Sequence, residues 1–156
     1  MKKIVITFLL TLLTLTMSAQ IQRTFFGCSL GSSKNIVKKN LIAKGYKLHF
    51  TQQYIYIRNV KFGGEIYTAA SFTFVNNKLC HVVINMSEDD CSYFNSLYKD
   101  VKNRIYNKYK DYKEGEDLYR DTKTVCAITT SGNLLKISYS DRNLLNIEQN
   151  QINNNF

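Results

Sequence analysis

Residues 46–86 alternate apolar and polar side chains in a stretch rich in tyrosine, phenylalanine, valine and isoleucine, and no proline occurs anywhere in the chain. That alternation has the period of a strand, whose side chains point to opposite faces in turn, and the composition suits a half-buried pleated surface. It predicts strands over 46–50, 54–60, 64–75 and 79–86. Asn76-Asn77 sits between the last two as a tight turn, because asparagine tolerates positive φ. In the final strand Cys80, Val82, Ile84 and Met86 share one face, expected to be the core face, while Leu79, His81, Val83 and Asn85 share the other.

Helical signals flank this block. Gly31-Ser32-Ser33 introduces a helix to about residue 44, closed by Gly45 and burying Ile36, Val37 and Leu41. Residues 87–90 open a longer helix, with acids placed where the helix dipole favours negative charge. Along it Phe94, Leu97, Tyr98, Val101, Ile105, Tyr109 and Tyr112 fall within an arc of about 120°, the stripe of an amphipathic helix. A polar connector over 113–121 leads to a hairpin, 124–130 and 134–140 flanking Ser131-Gly132-Asn133, with Leu135, Ile137 and Tyr139 inward. The end, 150–156, is mostly asparagine and glutamine and is expected to be disordered. The order helix, strands, helix, hairpin with short links predicts a single α+β domain over 20–149, an antiparallel β-sheet with two helices packed on one face.

Residues 1–19 read as a signal peptide. Lys2 and Lys3 form a positive head, residues 4–15 are apolar apart from three threonines, and Met17-Ser18-Ala19 ends in the small residues of a cleavage site. The apolar run falls short of the roughly 20 residues a membrane-crossing helix needs, so no transmembrane anchor is expected in the mature chain. Lipidation at Cys28, after Phe26-Gly27, is disfavoured because Gln20, Gln22 and Arg23 interrupt the apolar segment. The expected location is periplasmic or secreted. Losing Lys2 and Lys3 takes the formal charge from +9 to about +7. That sign favours an acidic partner: an anionic lipid surface, a polyanionic glycan or an acidic protein.

Cys28, Cys80, Cys91 and Cys126 all lie past the leader, and an even count in an exported chain predicts two disulfides. Cys80 with Cys91 is the least favoured pairing. A strand over 79–86 would carry the chain about 20 Å away from Cys80 with too few residues to return. The other two pairings are not distinguished, and buried free thiols are the alternative.

Candidate chemistry is sparse. Gly27-Cys28-Ser29-Leu30-Gly31 matches the G-x-S-x-G nucleophile elbow, which makes a small serine hydrolase using Ser29 an alternative to consider. Too little chain precedes Ser29 to build the sheet such an elbow needs. His49 and His81 are the only candidate bases, and Glu65 is the only acid between Ser29 and His81. The glycine spacing is not that of a P-loop. Cys80, His81, Asp89, Asp90 and Cys91 match no zinc-ligand spacing, so no metal and no cofactor are expected. A C-x-x-C redox pair is absent. On the long helix Lys99, Lys102, Tyr106, Lys110 and Lys113 occupy about 80° to 160° from Phe94, a possible anion-binding stripe for headgroups or a sugar polymer. Tyr54, Tyr56, Tyr67 and Tyr119 are candidates for an aromatic face, and no nucleic-acid motif is present.

Phe26-Gly27, Gly31-Ser32-Ser33 with its helix, residues 98–102 leading to Lys108-Tyr109, and residues 137–143 together resemble the layout of small exported proteins of unknown function from gut-type Gram-negative bacteria. The glycine-helix opening followed by sheet is faintly similar to β-lactamase-inhibitor-like periplasmic modules. The first resemblance carries no activity to transfer, and the expected function is a non-enzymatic binding or protein-interaction module of the cell envelope. Its partner would be an envelope protein, a glycan or an anionic lipid surface, with structural contact to anionic lipid or glycan as a further alternative.

Overall fold

The computed structural model describes residues 20–51, 53–62, 65–87 and 91–154. The export leader expected over 1–19, the acids at 88–90 and the last two residues of the tail lie outside them. The fold is α+β. Two short strands, β1 (Thr24–Phe25) and β2 (Cys28–Ser29), pair with each other. A seven-stranded antiparallel sheet follows in the order β3-β4-β5-β6-β9-β8-β7. Its members are β3 (His49–Phe50), β4 (Tyr54–Phe62), β5 (Glu65–Val75), β6 (Lys78–Ser87), β7 (Leu118–Arg120), β8 (Thr124–Ser131) and β9 (Leu134–Asp141). Helices α1 (Lys34–Ala43), α2 (Cys91–Tyr109) and α3 (Arg142–Asn153) complete the described elements, with a turn of 3-10 helix over Lys110–Tyr112.

The sheet is two meanders joined edge to edge. Strands β3 to β6 follow one another through hairpins. After α2 the chain restarts at the far edge with β7 and returns through β8 to set β9 against β6. The hairpin turns are those the residues predict: Asn76 and Asn77 both adopt positive φ, at 48° and 62°, between β5 and β6. Inward side chains Ile55, Ile57, Phe72, Val82, Ile84, Ile137 and Tyr139 form one buried cluster with Val37 and Leu41 of α1 and with Phe94, Leu97, Val101, Ile105 and Tyr109 of α2. Burial on this scale is the main stabilising term for such a fold. Ile36, expected in the buried face of α1, is instead about half exposed.

Four features go beyond or against the expectations. The N-terminal segment is clamped to the far end of the chain: Ile21 N–H donates to Asp121 Oδ2 at 2.9 Å, Gln22 N–H to Tyr109 OH at 3.2 Å, and Arg23 pairs with Asp141. The 113–121 connector contains β7, too short for periodicity to reveal. The turn after β7 is shaped by Asp121 Oδ1, which accepts from the N–H groups of Lys123 and Thr124. The tail expected to be disordered from residue 150 is helical to Asn153. Asp141 caps that helix by accepting from the N–H groups of Asn143 and Leu144, which offsets the poor helix propensity of its asparagines.

The fourth departure is in β6. Thr73 pairs with His81 and Phe74 with Leu79, so Cys80 is an extra residue without a partner, a β-bulge. The bulge reverses the alternation below residue 81. Leu79 enters the main buried cluster, while Cys80 leaves it and turns toward His81, its Sγ 3.3 Å from His81 Nε2. The expectation that Cys80 shares a face with Val82, Ile84 and Met86 is therefore corrected, as is the outward placing of Leu79.

Candidate functional site

A cleft of about 520 Å³ lies beside the N-terminal strands. Its floor is aromatic. Phe25 stacks at a tilt against Tyr139 with ring centroids 4.4 Å apart, and Phe62, Phe26 and Tyr46 extend the surface through contacts of 5.9 to 6.2 Å. Phe26 and Gly27 take positive φ, 52° and 78°, to make the turn between β1 and β2. At Gly27 a Cβ would lie 2.6 Å from Lys44 Cε, so the lysine stem rests on the bare glycine at the rim. Beneath α2 the cleft adjoins an apolar recess of about 60 Å³, sharing Phe62, Arg104 and Ile105.

The rim is cationic. Lys44, Lys61, Arg104 and Lys108 line it, and no acid does so among the described residues. Arg104 is ion-paired one helical turn back to Asp100. Lys108 lies over the Tyr109 ring at 5.2 Å and donates to Gln22 Oε1 at 3.3 Å, so its charge is oriented by a neutral amide. Lys44, Lys61 and Lys108, with Arg104 paired to Asp100 beside them, surround an apolar floor and can hold a molecule that has an acidic head and an apolar body. Sequence reasoning missed this cleft. Arg104 and Lys108, spaced by one turn on α2, were its one local signal.

Of the stripe read from the sequence, Lys99, Lys102 and Tyr106 lie on α2, and Lys110 and Lys113 follow it. Lys102 is held by Glu116 at 3.1 Å and Asp117 at 3.0 Å, and these hydrogen bonds raise its pKa. Lys110 falls in the 3-10 turn and Lys113 beyond it, where the α-helical angular register no longer applies. Lys113 folds back over the Tyr106 ring at 5.4 Å. Of the four tyrosines proposed as a face, Tyr67 and Tyr119 are buried in the core. Tyr54 and Tyr56 are half-buried on the sheet, with His49 stacked on Tyr56 at 4.8 Å.

Ser29, the candidate nucleophile, lies at the end of β2. Its Oγ is hydrogen-bonded to Thr24 Oγ1 at 2.9 Å, and both histidine rings are engaged elsewhere. His81 instead joins a compact cluster: Nδ1 lies 2.8 Å from Ser140 Oγ and Nε2 lies 2.8 Å from Glu148 Oε2 of α3. Ser140 is only 7% exposed, near the end of the interior strand β9. The side chain of Glu65 and those of Asp89, Asp90 and Cys91 lie outside the described residues.

Cys28, Cys80 and Cys126 are buried free thiols, so the expectation of two disulfides is not met among the described cysteines. Cys28 lies against the Val37 carbonyl of α1 and Cys80 against His81, and both Cys28 and Cys126 belong to the main buried cluster. Burial pushes the Cys28 thiol up to about 11 and Cys80 and Cys126 to about 12, with Glu148 and Asp141 adding to the rise at Cys80. Thiolate is the reactive form, so alkylation of these three in the folded protein is expected to run at least about a hundredfold slower than in urea. Mass spectrometry after alkylation without reductant checks it. Absence of free thiols in the denatured, unreduced chain would restore the cystines.

No helix among the described residues is long and apolar enough to cross a membrane. No family model, curated protein or solved structure matches this chain.

Proposed function

We propose that the protein is an exported, non-enzymatic binding module whose cleft takes up a small amphiphile with an acidic head and an apolar body. The observation that carries this reading is the pairing of a cationic rim, Lys44, Lys61, Arg104 and Lys108, with the aromatic floor of Phe25, Phe26 and Phe62. A volume of about 520 Å³ is within the range of sites for small organic ligands. In this reading α1 and α2 cover one face of the sheet and the cleft opens where their ends meet the β1–β2 turn.

Titration calorimetry with dodecanoate, dodecanol and dodecyltrimethylammonium tests the pairing. Dodecanoate is expected to bind at micromolar concentration, dodecanol at least about tenfold more weakly, and the cation not at all. Lys61→Glu and Lys108→Glu should each weaken dodecanoate about tenfold or more, and added salt should weaken it further. Equal binding of the three probes, or unchanged affinity in both variants, would sink the reading.

A further inference from the structure

We propose that Cys80, His81 and Glu148 form a binding site for a thiophilic divalent cation, for which Zn2+ is the best match. The three donor atoms, Sγ, an imidazole nitrogen and a carboxylate oxygen, lie within 4.8 Å of one another. These are the ligand types zinc takes. The Sγ to Nε2 distance is 3.3 Å and Nε2 to Oε2 is 2.8 Å. In a tetrahedral site with metal–ligand bonds of about 2.0–2.3 Å, neighbouring donors sit roughly 3.3–3.7 Å apart. Sγ and Nε2 are already within a few tenths of an ångström of that spacing, while Nε2 and Oε2 must part by roughly 0.5–0.9 Å, which the Glu148 side chain, one-third exposed at the mouth of the cluster, can supply.

The surroundings are built for such an ion. Adjacent residues in a regular strand point to opposite faces, and only the bulge at Cys80 lets it and His81 serve one site. Ser140 Oγ holds His81 Nδ1 at 2.8 Å, the outer hydrogen bond that orients a metal-binding imidazole and leaves Nε2 facing the metal. Cys80 is fully buried, where a net charge is costly. Zn2+ with one thiolate and one carboxylate is electrically neutral: the thiol proton leaves to solvent, and the imidazole proton shared between Nε2 and Glu148 moves to Nδ1, where Ser140 Oγ accepts its hydrogen bond. Three protein ligands leave the fourth position to water on the Glu148 side. The spacing of ligands in the sequence hid this site, because the third donor comes from α3, 67 residues beyond His81. Helix α3 has no fully buried residue of its own, so the ion would also fasten it to β6.

Co2+ titration of the purified, reduced protein reads the site directly. A thiolate-to-cobalt charge-transfer band saturating at one ion per chain and displaced by Zn2+ is expected. It should vanish in Cys80→Ser and persist in Cys126→Ala. Glu148→Gln keeps a hydrogen-bond acceptor toward His81, so its metal-free unfolding temperature should match wild type while its Zn2+ affinity falls at least tenfold. Zn2+ should raise the unfolding temperature of wild type and not of Glu148→Gln, since a ligand that binds only the folded state stabilises it. No saturable band, a band that survives in Cys80→Ser, or Zn2+ affinity in Glu148→Gln within twofold of wild type would overturn the site. The Glu148→Gln comparison stands even if Cys80→Ser fails to fold.

Discussion

Phe25→Ala is expected to lower the unfolding free energy by about 3–5 kcal/mol, read as a fall in the urea midpoint with little change in slope. Phe25 is 1% exposed although β1 is only two residues long, and its ring meets Tyr139 at 4.4 Å and Phe62 at 6.1 Å. Truncation removes the transfer energy of the ring and its aromatic contacts, and it opens a void that the surrounding sheet can close only in part. Against a typical total of about 5–15 kcal/mol, such a loss would leave some of the population unfolded at room temperature. Phe25→Leu should cost less than half as much. The same ring floors the cleft, so dodecanoate binding should fall in both variants. A cost below about 1 kcal/mol for Phe25→Ala would mean that the N-terminal strand unfolds separately from the sheet.

Alkaline pH is the second large lever. Burial raises the thiols of Cys28, Cys80 and Cys126 and the phenols of Tyr119 and Tyr139, while hydrogen bonds to Asp117 and Glu116 raise Lys102. All of these groups hold their protons more tightly in the folded chain, so above the unfolded-state values the native protein carries more protons than the unfolded one. Stability is then fully present below those values, 9.0 for the thiols, and is lost as pH rises toward about 12. A tenfold difference in proton affinity between the two states is worth about 1.4 kcal/mol, so the buried thiols alone should take several kcal/mol of stability with them across this window. Thermal melting in a pH series checks the slope, and Cys126→Ala should make the alkaline limb shallower. A melting temperature that stays level from about pH 8 to 11 would show that the thiols and phenols are not buried as described.

These two results probe different layers of what the residues convey. The antiparallel β5–β6 hairpin was legible because Asn76-Asn77 accepts positive φ and the flanking residues alternate. The stripe from Phe94 to Tyr109 was legible because its spacing matches one face of a helix. Both are local patterns that hold in any tertiary setting. The α-helical register stops at Tyr109, since Lys110–Tyr112 tightens to 3-10 geometry. Helix α3 was hidden for a related reason. Its asparagines argue against helix, and the cap from Asp141, the bond from Glu148 to His81 and that from Gln151 to Asn76 supply the difference.

The sequence by itself determined the α+β class, the antiparallel strands and the inward side of α2, because periodicity and turn chemistry act over a few residues. Only the tertiary structure decided where charge meets aromatic floor and where sulfur meets imidazole. The cleft gathers Lys44, Lys61, Arg104 and Lys108 from three separate elements, and a single unpaired residue in β6 turns Cys80 toward a glutamate 68 positions away. Such meetings depend on strand register and on which edge the chain returns to, and those are set by the packing of the whole core.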